Sequence, residues 1–434
     1  MLRSRLESLL GIPRSEQGRT WLLFLYAFGM SGAYVSARTD ADALFLARAG
    51  AERLPAMILV SATGVTLITA LYAAAVRRMP LRQVILLFHL GLALGTLVLA
   101  QLIESSSTAV AVPAGLYLLA ELRGALGTIH FSTLLNELFH QSAPARVTGV
   151  AGAGSTLAGI VFGGATGVLA ASVGVSSLLY VIPVLDLLAG VVAFRCCVVR
   201  HQAGPATEEV AGGEPQRARR VEPVSRSGRR LLTHPLARYI AMIVALKTVV
   251  VLLLEYEWKL LAVEELRTEQ ALAAFFGEFY AALFLLTGAI QLLGTSRVLT
   301  SLGIRAALAA FPVCVAGVIL IVVLPGNQTM AFWGLSVARG CDVLRRSLTD
   351  AAIHVLYWPL SPAFRRQVIA FAGGWVKPVV EAGTAALLIP LAVHLPPQGL
   401  SLVIVGVCLS WLVVIRRGRH AARRAGPQKD GGST

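Results

Sequence analysis

Apolar residues along this chain run in stretches of about 20, the length that carries a helix through a hydrocarbon layer roughly 30 Å thick. Windows of that length predict helical spans near 20–37, 54–76, 82–103, 109–130, 146–172 and 174–197. A second set follows near 238–261, 270–293, 302–324, 328–350, 365–393 and 398–416. Six and six is the count of two bundles. Between them, residues 198–237 are rich in Gly, Pro, Glu and Arg, include Gly204-Pro205 and Gly212-Gly213, and read as a polar linker. The expected organisation is an amphipathic N-terminal piece over 1–18, a six-helix bundle over 19–197, the linker 198–237, a second bundle over 238–417 and a basic tail over 418–434.

Composition narrows the class. Apolar residues make up 56% of the 434 and charged residues only 14%, too little polar surface to cover the helices of a soluble protein. The chain reads as an all-α integral membrane protein. Its net charge of +15 would suggest nucleic acid if the arginines formed one stripe, but they cluster in the short connections between spans. That distribution describes topology instead, and no nucleic-acid partner is expected. Arg77, Arg78, Arg82, Arg146, the linker, Arg297, Arg305, Arg365, Arg366 and the tail arginines fall on the side of the N-terminus, while the opposite connections carry few basic residues. By the positive-inside rule both termini and the linker are cytoplasmic, which requires an even number of spans. The same face would meet anionic lipid headgroups. The first outer connection is the exception, with Arg38, Arg48 and Arg53. Arg3 and Arg5 before the first apolar run imitate a signal peptide, but eleven later spans favour an uncleaved first helix. The five cysteines lie in or beside apolar spans with no CxxC and no paired His, so neither metal nor cofactor is expected.

Charges inside the spans carry the functional signal, because an ion at bilayer depth costs several kcal/mol unless paired or wetted. In the tenth span Arg339, Asp342, Arg346 and Asp350 follow at steps of three, four and four and share a helix face, with Arg345 and His354 beside them. Such a row lines a cavity where guanidinium forks hold phosphate or carboxylate groups, or forms a ladder of ion pairs that fixes packing. The seventh span carries Lys247, Glu255 and Lys259 with Trp258. They suit a gate or a ring-binding mouth, or simple snorkelling at a helix end. In the eleventh span Lys377 and Glu381 are one turn apart, Pro378 kinks the helix, and Trp375 stands nearby. Glu121 and Arg123 in the fourth span cannot share a face and need partners on other helices. Glu137 closes that region on the cytoplasmic side. Glu278 is isolated, either a proton carrier or a partner for an arginine. Glycines 149, 152, 154, 159, 163, 164 and 167 form a small-residue packing face, not a phosphate loop, since no Lys-Ser/Thr follows. No catalytic triad or nucleophile elbow is present, so an enzyme is not expected.

Two six-helix halves joined by a cytoplasmic linker are the layout of major-facilitator-type transporters. Several blocks refine this. The segment Tyr34 to Leu44, YVSARTDADAL, with Arg38 and Asp42, resembles the ATP/ADP translocase family of nucleotide carriers. So do Asn136-Glu137 followed by Gly152-Ala153-Gly154, and Glu255-Tyr256-Glu257-Trp258-Lys259. Ser347, Asp350, Tyr357, Pro359, Leu360 and Phe364 resemble the family's helix-ten signature. The chain departs from the pattern where nucleotide exchangers carry a lysine, at Ala41, and where they carry Lys-Glu, at Ile353 and His354. Near the eleventh span the family's Arg and Lys fall at Pro378 and Glu381, with Lys377 one residue away.

The reading that results is a carrier of the bacterial inner membrane, moving a small anionic solute, a nucleotide or another phosphorylated metabolite, by alternating access. Arg38, Arg123, Arg339, Arg346 and Lys377 are the expected cationic groups, with Trp375 and Trp258 stacking on a ring. Asp42, Glu137, Glu255, Lys259, Asp350 and Glu381 are expected in gating or charge relay. The resemblance implies exchange, while Glu278 and His354 leave a proton route open. The alternative is a non-transporting scaffold or sensor, or a lipid-handling protein, on the same fold, and the missing family lysine favours it.

Overall fold

The computed structural model describes residues 14–105, 110–139, 145–202, 233–293, 300–301, 303–395 and 397–418. Most of the expected N-terminal piece 1–18, of the linker 198–237 and of the tail 418–434 lies outside them. Among the described residues there is no strand, and twelve long helices follow one another. They are α1 (Arg14–Ala49), α2 (Leu54–Val76), α3 (Leu81–Glu104), α4 (Ala111–Leu138), α5 (Ala145–Val173) and α6 (Val181–Gln202). After the linker come α7 (Pro235–Leu266), α8 (Glu269–Leu293), α9 (Gly303–Val318), α10 (328–356), α11 (362–394) and α12 (Pro397–Arg417). This is the all-α membrane layout that the apolar runs predict. Ten of the twelve, all but α4 and α10, are long and apolar enough on their own to cross a membrane. The remaining two carry Glu121 and Arg123, and Arg339 to Asp350, respectively. They are made tenable by partners on neighbouring helices.

Large apolar side chains are exposed along many of the helices, among them Val60, Leu67 and Leu71 on α2 and Leu187, Leu188 and Val191 on α6. A water-facing monomer does not spread so much apolar surface around itself, whereas lipid tails accept it. Cys196, Cys197 and Cys408 are buried, and no disulfide joins the five cysteines.

Two compact units arise from the contacts. The first comprises residues 1–53, 63–212 and 266–288, and the second 54–62, 213–265 and 289–434. Inside the first, α1 is the centre and packs on α4, α5 and α6, while α3 lies on α6 and α4. Leu23, Tyr26 and Met30 of α1 meet Ile85, Leu134, Val147, Ala151 and Ala189 in its core. Most of α8 belongs to this unit because the glycine face of α5 lets it approach. A methyl group at Gly277 would fall 2.6 Å from the nitrogen of Gly167 and 2.7 Å from the oxygen of Gly163. The two backbones touch there, as small residues allow when no hydrophobic force between helices is available. Inside the second unit, α9 packs on α12 and on the middle of α10.

Three helices widen into π-turns, at Ile319–Val323, Arg345–Thr349 and Ala372–Val376. The last has a local cause. Pro378 has no N–H to give to the preceding turn and its ring would clash with the carbonyl four residues back, so the chain opens just before it. The kink expected at Pro378 thus takes the form of an inserted residue.

Replacing Gly277 by Leu forces the α5 and α8 backbones apart. Overpacking of this kind costs about 1–3 kcal/mol, and the Gly277→Leu protein should unfold at a lower temperature than wild type when purified in detergent. An unchanged midpoint by differential scanning fluorimetry would show that the seam is not tight.

Candidate functional site

Each unit gathers ionisable side chains on the inner faces of its helices. In the first, α1 presents Arg38 and Asp42 one turn apart, an i,i+4 pair closed by an Nε to Oδ2 bond of 3.1 Å. Arg38 extends further to Glu121 on α4, whose carboxylate accepts from Nη1, and to the hydroxyl of Tyr117 at 3.3 Å. Its guanidinium carbon also lies 4.8 Å from the centre of the Tyr117 ring. Tyr280 on α8 donates to Asp42 at 3.5 Å. Arg38 is buried but Glu121 keeps 32% of its side-chain surface, so the pair meets the exterior at its acidic end.

Deeper in the same unit Arg123 is enclosed. Asp186 of α6 accepts from Nε and Nη2, the closest contact being 2.6 Å, and Thr96 and the carbonyl of Leu92 on α3 take further bonds. Only 1% of the Arg123 side chain is accessible. Glu121 and Arg123 thus find partners on different helices, as their two-residue spacing requires. Asp186 is a member of the site region that the apolar pattern passed over. Its signal was there, a lone carboxylate in a span otherwise free of charge until Arg195, which marks an intramembrane partner.

The second unit carries the larger constellation. Asp342 of α10 is 1% exposed and receives three guanidiniums, from Arg339 at 3.2 Å, from Arg346 at 2.7 Å and from Arg345 through Nε and Nη2. Arg339 also reaches Glu255 on α7 at 3.7 Å, and Glu255 accepts from Lys259 at 2.8 Å. At the other end Asp350 accepts from Arg345 at 3.2 Å and from Lys247 of α7 at 2.7 Å. The π-turn Arg345–Thr349 explains the wiring. Its extra residue brings Arg345, five positions before Asp350, into reach of both Asp342 and Asp350, whereas a regular helix would have paired residues four apart. Arg345 and Lys247 therefore join the row read from the sequence, and α7 is tied to α10 at both ends. Arg346 keeps 34% of its side-chain surface and Asp350 33%.

The remaining candidates are placed differently. Trp258 is fully buried, with its indole N–H on the Ser336 hydroxyl at 3.0 Å and the Arg339 guanidinium carbon 5.9 Å from its ring. Trp375 lies in the π-turn of α11 and is 70% exposed. Lys377 and Glu381 pair at 3.5 Å and are 55% and 32% exposed. The side chain of Glu137 lies outside the described residues. His354 is exposed, with its ring 6.3 Å from that of Tyr357, and Glu278 is exposed where α8 lies on Gly167. Among the described residues no group of three metal-ligating side chains occurs.

Comparison of the chain with known proteins gives one kind of match. Protein-family models and curated proteins give none. Solved structures do. A nucleoside transporter, NupG, in a point-mutant form, superposes with a TM-score of 0.66 at 11% identity, covering 92% of this chain and 99% of its own. A bacterial homologue of the iron transporter ferroportin, in an inward-facing state, gives 0.62 at 15% identity over 92% and 98%. The peptide transporter POT in complex with sulfate gives 0.60 at 13% over 94% and 95%. At such identities the likeness shows the fold alone, the one these three transporter structures share.

The two charge clusters respond differently to mutation. Arg123→Leu leaves Asp186 buried without its partner, a loss of about 3–5 kcal/mol, and the Arg123→Leu/Asp186→Leu double variant should recover most of it. Arg346→Ala, at a partly exposed position, should stay close to wild type. Thermal unfolding of the four proteins in one detergent checks the order, and a double variant as unstable as the single one would contradict it.

Proposed function

We propose that the protein is a carrier of the bacterial inner membrane, with both termini in the cytoplasm, that moves a small anionic solute bearing phosphate by alternating access. One observation carries this reading. Three guanidiniums converge on the single carboxylate of Asp342, and one of them, Arg346, keeps a third of its side chain open. Guanidinium forks match phosphate and carboxylate oxygens two at a time, and they do so most strongly where water is scarce. A membrane helix that served packing alone would have no need to gather three of them, since apolar side chains of the same volume pack as well without the desolvation cost.

Arg339 and Arg346 are the proposed contacts for the anion, with Arg38 and Lys377 as further cationic positions. Asp350, Glu255, Asp42 and Glu381 hold those cations in place in one state and release them in another, and Lys259 competes with Arg339 for Glu255. Arg123 is assigned to holding the first unit together, because Asp186 and Thr96 already occupy its donors. Trp375 is the exposed ring suited to stacking, and Trp258 supports Arg339 from behind. The motif resemblance to ATP/ADP translocases and the solved nucleoside transporter of the same fold favour a nucleotide. Ala41 in place of the family lysine argues for fewer phosphates than a triphosphate.

A solute that binds the folded protein alone stabilises it, by about 2.7 kcal/mol when present at 100 times its dissociation constant. Thermal unfolding of the purified protein should therefore rise with ATP, AMP or inorganic phosphate, and the rise should vanish in Arg346→Ala. A response to anionic lipid alone, or equal responses in wild type and variant, would overturn the reading in favour of a lipid-handling protein.

A further inference from the structure

The first helix of each half repeats one pattern whose middle residue the carrier reading leaves unused. In α1 it is Arg38-Thr39-Asp40-Ala41-Asp42, and in α7 it is Glu255-Tyr256-Glu257-Trp258-Lys259. Each has opposite charges four residues apart, bonded to one another on the site face, and a carboxyl residue midway between them. At 100° per residue that middle position points almost straight away from the pair. The two middle carboxyls also sit at the same height in their own helices, since Asp40 is nine residues before the helix end at Ala49 and Glu257 nine before Leu266.

Both are enclosed. Asp40 has no accessible surface, and neither of its oxygens has a hydrogen-bond partner among the described residues. Glu257 is 1% exposed, its Oε1 accepts from the Ser401 hydroxyl of α12, and its Oε2 has no partner among the described residues. The charged groups around them are committed elsewhere. Of the helices packed on α1, α4 carries Glu121, Arg123 and His130, α3 behind them carries His89, and α6 carries Asp186. Glu121 is held by Arg38 and Arg123 by Asp186, and neither histidine bonds to Asp40. Around Glu257, Lys259 is held by Glu255, Lys377 and Glu381 of α11 pair with each other, and His394 makes no bond to it. A small cavity of about 110 Å³ lies against the neighbouring Tyr256 and Leu260 and is lined further by Leu388, Leu391, Leu395 and Leu400.

An ionised carboxylate in such surroundings costs far more than a neutral acid. A change of state that wets the rear face of either helix would remove that penalty and let the proton go. We infer that Asp40 and Glu257 are matched proton-binding sites, one in each half, and that the proton is the second substrate of this carrier. The inference rests on the carrier reading above and deepens it. The chemistry is a reversible O–H bond formation on each carboxylate oxygen, with no other reactant. It also answers an energetic need. Each negative charge brought into the cytoplasm works against about 2.3 kcal/mol per 100 mV of membrane potential, and two protons carried with the solute offset two such charges.

Infrared spectroscopy of the full chain in phosphatidylethanolamine/phosphatidylglycerol vesicles tests this without a solute. Between about pH 5 and 9, which brackets the values of roughly 6 to 9 documented for buried carboxyls, the carbonyl band of protonated carboxylic acid should fade as pH rises and return on acidification. Asp40→Asn and Glu257→Gln should each remove about half of it. In the same vesicles, an imposed pH gradient together with AMP should drive internal acidification, followed by a trapped pH dye, and the double variant should lose it. A band that is absent, is untouched by both variants or stays constant across the pH range overturns the proton sites, and so does AMP-driven flux equal in wild type and double variant. Should one variant fail to fold, the other and the wild-type titration still decide. Titrating bands in a protein that neither ATP, AMP nor phosphate stabilises would sink the anion-carrier reading alone.

Discussion

Every part of this molecule answers to the cost of holding charge in a medium that cannot solvate it. Asp342 shows the rule most plainly, a carboxylate with almost no accessible surface on which three guanidiniums close. The same rule binds helices together. Arg123 on α4 could not enter an apolar bundle alone, and its bond to Asp186 fixes α4 against α6. Lys247 ties α7 to α10 through Asp350, and Glu255 does so through Arg339. Where packing has to be close without any charge, glycine permits it, as between α5 and α8.

On the proposed carrier reading, binding and stability would share the same groups. The arginines proposed to meet an anion are also the partners of buried carboxylates, so an incoming phosphate would compete with Asp342 and Glu255 for the donors that hold α7 to α10. A solute that wins that competition loosens one set of helix contacts as it makes its own. Such exchange of partners is the minimal physical requirement for a solute to bias one state over another. The π-turn in α10 matters here because it places one arginine between two carboxylates, where small rotations change which of them it serves.

Much of the fold was legible in the chain. Runs of about 20 apolar residues, the basic connections and the polar linker suffice for twelve helices in an all-α membrane protein, because the bilayer fixes element length and backbone satisfaction by itself. Much of the charge cluster proposed as the site was legible as charge too. Arg339, Asp342, Arg346 and Asp350 stand out since no lipid-facing helix retains them, and Glu255 with Lys259 follows from one-turn spacing. Asp186 was visible as a residue but not as a partner, because nothing in linear order links position 186 to position 123.

The sequence alone determined the medium, the number and length of helices, and which charges had to be interior, since each of these depends on local hydropathy and the helical period. Only the tertiary structure decided who pairs with whom. It set Arg123 on Asp186, Lys247 on Asp350 and Trp258 on Ser336, and it inserted the π-turns that moved Arg345 between two carboxylates. It also left Asp40 and Glu257 with no charged partner among the described residues. Pairing across helices depends on which faces meet and at what height, and that geometry is fixed by packing between distant segments, a property no local pattern contains.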